Sequence, residues 1–193
     1  MIYTEKIQHA IRFAIKTHEI YQKQKRKGKD VPYIVHPLTA GLILAAAGAN
    51  EDLIVAGILH DTIEDSIDEK KVTKEMIVER FGEKVYELVL SVTEQDKELP
   101  WEERKAQALE HIKTFSNDSL MLKSADLLSN VSEIIDDYKK EGEEMFNKFN
   151  APKDKVIKSY IDAMESIVGR WEENPLAADL KNLIYEVQEL QKS

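Results

Sequence analysis

Apolar residues recur every three or four positions along most of the chain, which is the spacing of helices with one buried face. The first such stretch covers residues 4–23, with Thr4 as its N-cap, and a basic loop that ends at Pro32 follows it. Further helix starts are indicated by Pro in the first helical turn and by polar N-cap residues that acidic residues follow. These helices are predicted from His36 and Asn50, at about 72–80, 82–94, 101–115 and 118–139, and from Pro152 and Asn174.

Two of these segments are predicted to form the core. The uncharged run at 53–59 has the length of a strand, but Asn50, Glu51 and Asp52 before it indicate the start of a buried helix. Residues 118–139 carry apolar side chains on several faces and should form a central helix. The pattern predicts an all-α fold, with residues 1–170 as the main domain and 171–193 as a helical extension packed on it or used in a homo-oligomer.

Composition narrows the class of protein. The chain has 193 residues, 42% of them hydrophobic and 33% charged, which is typical of one globular domain. There is no cysteine, so disulfides and thiolate metal sites are excluded. The first residues are not followed by the apolar region of a secretory signal peptide. No apolar stretch approaches the ~20 residues of a membrane span. We therefore expect a cytoplasmic protein with no membrane partner.

Charge bears on the choice of ligand. The net charge of −9 disfavours a nucleic acid polymer as partner, because such binding depends on neutralising phosphates. Residues 23–29 are nevertheless strongly basic, with four lysines and Arg26. Such a loop can bind a small phosphorylated ligand or can simply be solvated, and the sequence alone leaves both interpretations open.

A cluster of metal-binding residue types follows the predicted buried helix. His60 and Asp61 end that helix, and a buried imidazole and carboxylate need a partner such as a divalent ion. His36 lies at another helix start. Asp126 lies in the middle of the apolar helix 118–139, where we expect its carboxylate to be at least partly buried. Two imidazoles and two carboxylates suit Mn²⁺, Fe²⁺ or Zn²⁺, with water at the remaining positions.

Further polar residues lie at helical spacing from these candidates. Glu64 and Asp65 follow Asp61 at i+3 and i+4, so they can serve as general base and general acid for a water molecule. Lys123 and Asn130 share the face of Asp126 and could hold a phosphate and a sugar hydroxyl. The three other histidines are interpreted as satisfied core residues: His9, His18 and His111.

Histidine, then His-Asp, then a distant Asp resembles the signature of HD-domain metal-dependent phosphohydrolases. The longer motifs are similar to the hydrolase domain of the stringent-response Rel/Spo enzymes and to the stand-alone small alarmone hydrolases. The resemblance spans about residues 4–170. It is carried by Pro32-Tyr33-Ile34-Val35-His36-Pro37, Ile58-Leu59-His60-Asp61-Thr62-Ile63-Glu64-Asp65, Phe81-Gly82, Val92-Thr93 and 123–130.

The resemblance implies an HD-domain helical bundle and hydrolysis of (p)ppGpp to GDP or GTP and pyrophosphate. It implies one Mn²⁺, with other divalent metals also suitable, and a nucleotide as the small-molecule partner. The ligands would be His36, His60, Asp61 and Asp126, with Glu64 and Asp65 acting on the attacking water. Arg26 would correspond to the family's arginine near the nucleotide.

One segment departs from the family pattern and leaves the substrate open. Where the family reads Lys-Leu-Ala-Asp-Arg-Leu-His-Asn-Met-Arg, residues 123–132 keep the Lys, Asp and Asn but lack both arginines and the histidine. Another nucleotide or phosphoester is therefore an alternative substrate, and a non-catalytic nucleotide sensor is an alternative function. A dinuclear cyclic-dinucleotide phosphodiesterase is disfavoured, because the other histidines lack the spacing for a second metal.

Overall fold

The computed structural model describes residues 3–94 and 98–192. In this part of the chain the regular structure is helical, with no strand and one isolated bridge between Lys25 and Pro32, so the predicted all-α class is confirmed. The chain divides into a compact unit that ends at Thr93 and another that begins at Glu94. None of the helices within the described ranges is long and apolar enough to cross a bilayer.

The first unit is built around one helix that is buried over most of its length. Its helices are α1 (Glu5–Ile15), a π-helix (Lys16–Tyr21), α2 (Val35–Ala46), α3 (Glu51–Leu59), α4 (Thr62–Asp65), a 3₁₀ turn (Asp68–Lys70), α5 (Lys74–Phe81) and α6 (Glu83–Val92). Every residue from 53 to 59 is buried, and α3 packs against α1, α2 and α6. The Asn50 side chain accepts a hydrogen bond from the Leu53 amide at 3.0 Å. The prediction of a buried helix rather than a strand is confirmed.

The basic loop between the π-helix and α2 is held by its own backbone. The Arg26 amide donates to the Val31 carbonyl at 2.8 Å, and the Tyr33 amide donates to the Gln24 carbonyl at 2.9 Å. Gly28 has a φ of 74°, a left-handed conformation that glycine adopts without steric cost. The loop therefore returns on itself and delivers Tyr33 directly to the start of α2.

Two glycines allow α2 and α3 to pack closely. A Cβ atom on Gly57 would lie 2.5 Å from Leu44 Cδ1 and 3.5 Å from the Gly41 Cα. A Cβ atom on Gly41 would lie 2.6 Å from Ile58 Cγ1. Leu44 is fully buried, so its side chain has little freedom to move away. The distance between these two helices therefore depends on the absence of side chains at positions 41 and 57.

We predict that Gly57→Val destabilises the fold by about 2–3 kcal/mol, because the added carbons overpack the contact with Leu44. Chemical denaturation measures the change in the free energy of unfolding. Gly169→Val is the matched control, since a Cβ atom there meets nothing within 4 Å and the position also lies in a helix. Equal stability of the two variants would contradict the close packing.

The second unit is arranged around a long central helix. Its helices are α7 (Trp101–Ile112), α8 (Asn117–Glu141), a 3₁₀ segment (Gly142–Lys148), α9 (Lys153–Arg170) and α10 (Ala177–Lys192). Ser116 caps α8 by accepting a hydrogen bond from the Ser119 amide at 3.1 Å. Helix α10 packs on α8 and α9, and the buried Asn174 before it donates to Ser124 Oγ at 2.9 Å. The division into residues 1–170 and 171–193 stays a prediction.

The first predicted helix differs from the observed one in geometry. Residues 4–23 were expected as one regular helix, but α1 ends at Ile15 and a π-helix occupies Lys16–Tyr21. The wider turn buries Thr17 and His18. Apolar spacing does not distinguish the two helix types over six residues, and π-turns occur often at functional sites.

Candidate metal centre

Helices α2 and α3 each contribute one histidine to the first unit's polar cluster. His36 lies in the first turn of α2 and is 2% exposed, and His60 directly follows α3 and is 4% exposed. Asp61 comes next, between α3 and α4, and its side chain is 16% exposed. The close approach of α2 and α3 at the two glycines thus sets the distance between the two imidazoles.

The donor atoms of these three residues form a small triangle. The Nε2 atoms of His36 and His60 are 3.1 Å apart, and Asp61 Oδ2 lies 3.2 Å from His60 Nε2 and 3.5 Å from His36 Nε2. Donors that occupy adjacent octahedral positions about 2.1 Å from one ion are about 3 Å apart. The triangle therefore fits one divalent ion, and its nitrogen and oxygen donors suit a first-row metal.

The tautomer of His60 is set by the backbone. His60 Nδ1 lies 2.7 Å from the Gly57 carbonyl oxygen, which can only accept, so Nδ1 carries the proton. In the neutral imidazole the lone pair is then on Nε2, the atom of the triangle. Such a bond from the second ring nitrogen is typical of histidines that bind metals.

Tyr33 holds the carboxylate of the triangle. Its hydroxyl donates to Asp61 Oδ2 at 2.7 Å. Burial, together with the negative charges of Asp61 and Asp65, raises the pKa of Tyr33 far above its ordinary value, so the hydroxyl keeps its proton. The sequence prediction gave this residue no role at the metal centre, although it precedes His36 by three positions in the motif that carries the resemblance.

We predict that Tyr33→Phe weakens divalent metal binding about 10–100-fold, because Asp61 loses the donor that orients it. The phenyl ring preserves the contact with the His36 ring, whose centroid lies 5.8 Å away. Isothermal titration calorimetry with Mn²⁺ measures the effect. Tyr185→Phe, at an exposed tyrosine on α10, is the control. Unchanged affinity in Tyr33→Phe would show that the hydroxyl does not position the ligand.

Glu64 and Asp65 lie on the short helix α4, one turn beyond Asp61. The Asp65 amide donates to the Asp61 carbonyl at 2.9 Å, which places Asp65 one helical turn after Asp61 on the same side of the helix. Gln24 Nε2 donates to Asp65 Oδ2 at 2.9 Å, and Gln24 Oε1 lies 2.9 Å from His18 Nδ1. His18 therefore reaches Asp65 through one glutamine side chain from the basic loop.

The three histidines interpreted as satisfied core residues behave differently from that prediction. His18 is fully buried, but its Nε2 has no hydrogen-bond partner within the described residues. His9 and His111 are exposed, so the core interpretation is wrong for them. His9 Nε2 is 3.9 Å from Glu5, and the His111 ring packs edge-on against Phe115. Both lie on helices whose apolar spacing includes them without burying them.

The basic loop places one cation beside Tyr33. The Arg26 guanidinium carbon lies 5.4 Å from the centroid of the Tyr33 ring, within cation–π distance. Tyr33 thus links Arg26 to Asp61, because its ring contacts the guanidinium and its hydroxyl donates to the carboxylate. Its predicted role as a substrate contact remains a prediction.

In the second unit, Asp126 lies on α8 and is 7% exposed, so the predicted burial of this carboxylate is confirmed. Lys123 Nζ donates to its Oδ2 at 2.7 Å, and Asn130 Nδ2 donates to its Oδ1 at 2.7 Å. The predicted i−3 and i+4 neighbours therefore orient and neutralise Asp126. Their role as substrate contacts, and that of Asp126 as a metal ligand, remain predictions.

The chain belongs to the HD-domain family, whose sequence model matches residues 10–156. The resemblance drawn from the motifs is thereby confirmed. Membership in this family implies divalent metal binding, in agreement with the imidazole and carboxylate donors of the first unit.

The chain is similar to proteins that carry the name guanosine-3′,5′-bis(diphosphate) 3′-pyrophosphohydrolase. It is 40% identical to one from Aquifex aeolicus over 131 residues, which is 67% of this chain but 18% of that protein. It is 37% identical over 130 residues to the protein of that name called MESH1 from Xenopus tropicalis, covering 66% of this chain and 69% of that protein.

Two solved structures share the fold. One, described as a metazoan ortholog of SpoT that hydrolyzes ppGpp and plays a role in starvation responses, superposes with a TM-score of 0.72 at 22% identity, covering 100% of this chain and 97% of that one. The other is lmo0812 from Listeria monocytogenes EGD-e, with a TM-score of 0.71 at 30% identity, covering 82% of this chain and 99% of that one. The predicted HD-domain helical fold is confirmed.

Proposed function

We propose that this chain is a metal-dependent phosphohydrolase that removes the 3′-pyrophosphate from (p)ppGpp. The observation that carries the proposal is the similarity of an HD-domain chain to relatives named for that reaction, Aquifex and Xenopus proteins among them. The triangle of His36, His60 and Asp61 supports it, because it offers this chemistry a divalent ion.

The proposed ligand set is His36, His60, Asp61 and Asp126, around one Mn²⁺. Two neutral imidazoles and two carboxylates neutralise a divalent charge, and this mixture of nitrogen and oxygen donors also suits other divalent ions. When bound, the ion supplies positive charge that acidifies a water molecule and offsets charge on the phosphates. Lys123 and Asn130 would hold the Asp126 carboxylate in orientation.

Glu64 and Asp65 are the proposed groups for proton transfer. One carboxylate takes a proton from the attacking water as the water oxygen bonds to the phosphorus attached to the ribose 3′ oxygen. The bond between that phosphorus and the 3′ oxygen breaks, and the other carboxyl group returns a proton to the leaving oxygen. The products are GDP or GTP and pyrophosphate. Gln24 keeps Asp65 in place, since its amide donates to Asp65 Oδ2 at 2.9 Å.

The proposed substrate contacts are Arg26, Lys123 and Asn130. Arg26 presents five donors and a permanent positive charge, which suits a pyrophosphate group. Lys123 offers a second cation, and Asn130 a donor and an acceptor for a ribose hydroxyl. Both residues on α8 would combine these contacts with their bonds to Asp126.

The test is identification of products from the wild-type protein. Incubation with ppGpp and pppGpp in the presence of Mn²⁺ should release pyrophosphate together with GDP or GTP, detected by ion-exchange chromatography and ³¹P NMR. A parallel panel of nucleoside mono- and triphosphates provides the comparison. Turnover of another nucleotide with release of orthophosphate, and none of ppGpp, would contradict the proposal.

A second candidate keeps the metal site and changes the substrate. Leu127 and Ser132 stand on α8 where the family pattern has arginines, so two cations near Asp126 are missing. Fewer cations favour a substrate with fewer phosphates, such as another nucleotide or phosphoester. The product panel distinguishes this candidate from the first. Tight nucleotide binding with a full complement of metal and no turnover would instead indicate a sensor.

We also propose a cytoplasmic location, an HD hydrolase domain at 1–170 and a helical extension at 171–193. Within the second unit α10 packs on α8 and α9, which is compatible with an extension that stays attached. Tyr185 on α10 is 66% exposed and leaves room for self-association. Analytical ultracentrifugation of the full chain would report whether a homo-oligomer forms.

A further inference from the structure

A cavity lies in the first unit, lined by residues of α1, the π-helix and α5 among others. Its volume is about 620 Å³, and none of the residues predicted for the metal centre lines it. Pockets of about 300–1,000 Å³ are the usual size for small-molecule ligands. The cavity is therefore large enough for a ligand of its own.

The charged residues that line this cavity are mostly cations. Arg12, Lys16, Lys70 and Arg80 contribute to it, against one carboxylate from Glu79. Within the described ranges, none of these four basic residues forms an ion pair. In a chain whose net charge is −9, four cations against one carboxylate are a local excess of positive charge.

Aromatic rings hold three of these cations in position. Lys16 Nζ and Lys70 Nζ lie 5.5 Å and 5.6 Å from the centroid of the Tyr21 ring. The Arg80 guanidinium carbon lies 5.3 Å from the centroid of the Phe13 ring. A ring attracts a cation but, unlike a carboxylate, leaves its charge intact. The cavity thus holds positive charges that are oriented and still available to an anion.

We propose that this cavity binds a phosphorylated small molecule. Phosphate oxygens accept hydrogen bonds from guanidinium and ammonium groups, and two arginines allow bidentate contacts. The rings reduce the side-chain freedom that a ligand would otherwise have to restrict on binding. The apolar floor, which includes Val72 and Phe81, suits the uncharged part of such a ligand. The proposal does not depend on the reaction proposed for the metal centre.

Isothermal titration calorimetry of pyrophosphate with the chelator-treated protein tests the proposal by measuring the binding affinity. The chelator removes divalent ions, so pyrophosphate cannot bind through a metal. Lys16→Glu with Arg80→Glu should weaken binding at least about tenfold, because two attractive charges become repulsive. The neutral single variants Lys16→Gln and Arg80→Gln change exposed side chains and should disturb the fold less. Each should also weaken pyrophosphate binding, by a smaller factor.

Two controls separate this cavity from other sites. Lys139→Glu with Lys181→Glu makes the same change in net charge at exposed positions of the second unit and should leave the affinity unchanged. Asp61→Asn alters the metal centre and should also leave it unchanged. Equal binding by all the variants, or no binding by the wild-type protein at millimolar pyrophosphate, would overturn the proposal. Neither result depends on whether ppGpp is hydrolysed.

Discussion

Asp61→Asn is expected to lower turnover by about 10³-fold or more, since a catalytic metal supplies several kcal/mol of transition-state stabilisation. Asp61 Oδ2 lies 3.2 Å from His60 Nε2 and receives the Tyr33 hydroxyl at 2.7 Å. The amide retains the shape and the acceptor for Tyr33 but loses the negative charge. The affinity for the metal should fall because of this loss of charge, since a neutral oxygen is the weaker ligand for a divalent ion.

The measurement combines metal content by mass spectrometry with pyrophosphate release from ppGpp. Asp162→Asn, on α9 in the second unit, removes the same charge from the pair that Asp162 forms with Lys158 at 2.8 Å, and should preserve both readouts. Circular dichroism establishes that each variant keeps its helices. Full metal content together with wild-type turnover in Asp61→Asn would remove this residue from the ligand set.

The double variant Glu64→Gln, Asp65→Asn is expected to lower turnover by about 10²–10⁴-fold, the usual contribution of general acid–base catalysis. Both amides preserve the size of the side chains, and the amide oxygen introduced at position 65 can still accept the hydrogen bond from Gln24. The metal ligands are untouched, so metal content should match that of the wild-type protein. Loss of activity with retention of metal is the combination that separates proton transfer from metal binding.

Asp68→Asn is the control for this pair, because Asp68 is an exposed acid in the 3₁₀ turn that follows α4. Single-turnover kinetics with ppGpp separate the chemical step from product release. The two single variants show which carboxylate carries the larger share. Turnover of the double variant within about threefold of the wild-type value, far short of the usual acid–base contribution, would exclude both residues from the chemistry.

The fold was predictable because the helices follow from local pattern. Asn50 and the acids after it identified α3 as a helix, although its apolar run alone fits a strand as well. The burial of Asp126 followed from its apolar neighbours on α8. Such features depend on residues within one or two turns of each other, and one sequence is sufficient to recognise them.

The features that were missed depend on distant partners. The bond from Tyr33 to Asp61 joins residues 28 positions apart, and the bond from Gln24 to Asp65 joins residues 41 positions apart. Helical periodicity carries no information about either pair. His9 and His111 were predicted as core residues because their spacing fits an apolar face, yet both are exposed. Whether a residue at the edge of such a face is buried depends on which other elements pack against it. Those elements are distant in the sequence, so the local pattern does not identify them.

The contact between Gly41 and Gly57 has a consequence for metal selectivity. One imidazole lies on α2 and the other directly follows α3, so the separation of these helices influences the distance between the two nitrogen donors, which is 3.1 Å. A wider separation of α2 and α3 would lengthen this distance and favour ions of larger radius over those of the first transition row. Two glycines that are not proposed as metal ligands would therefore influence which ion sizes the site accepts.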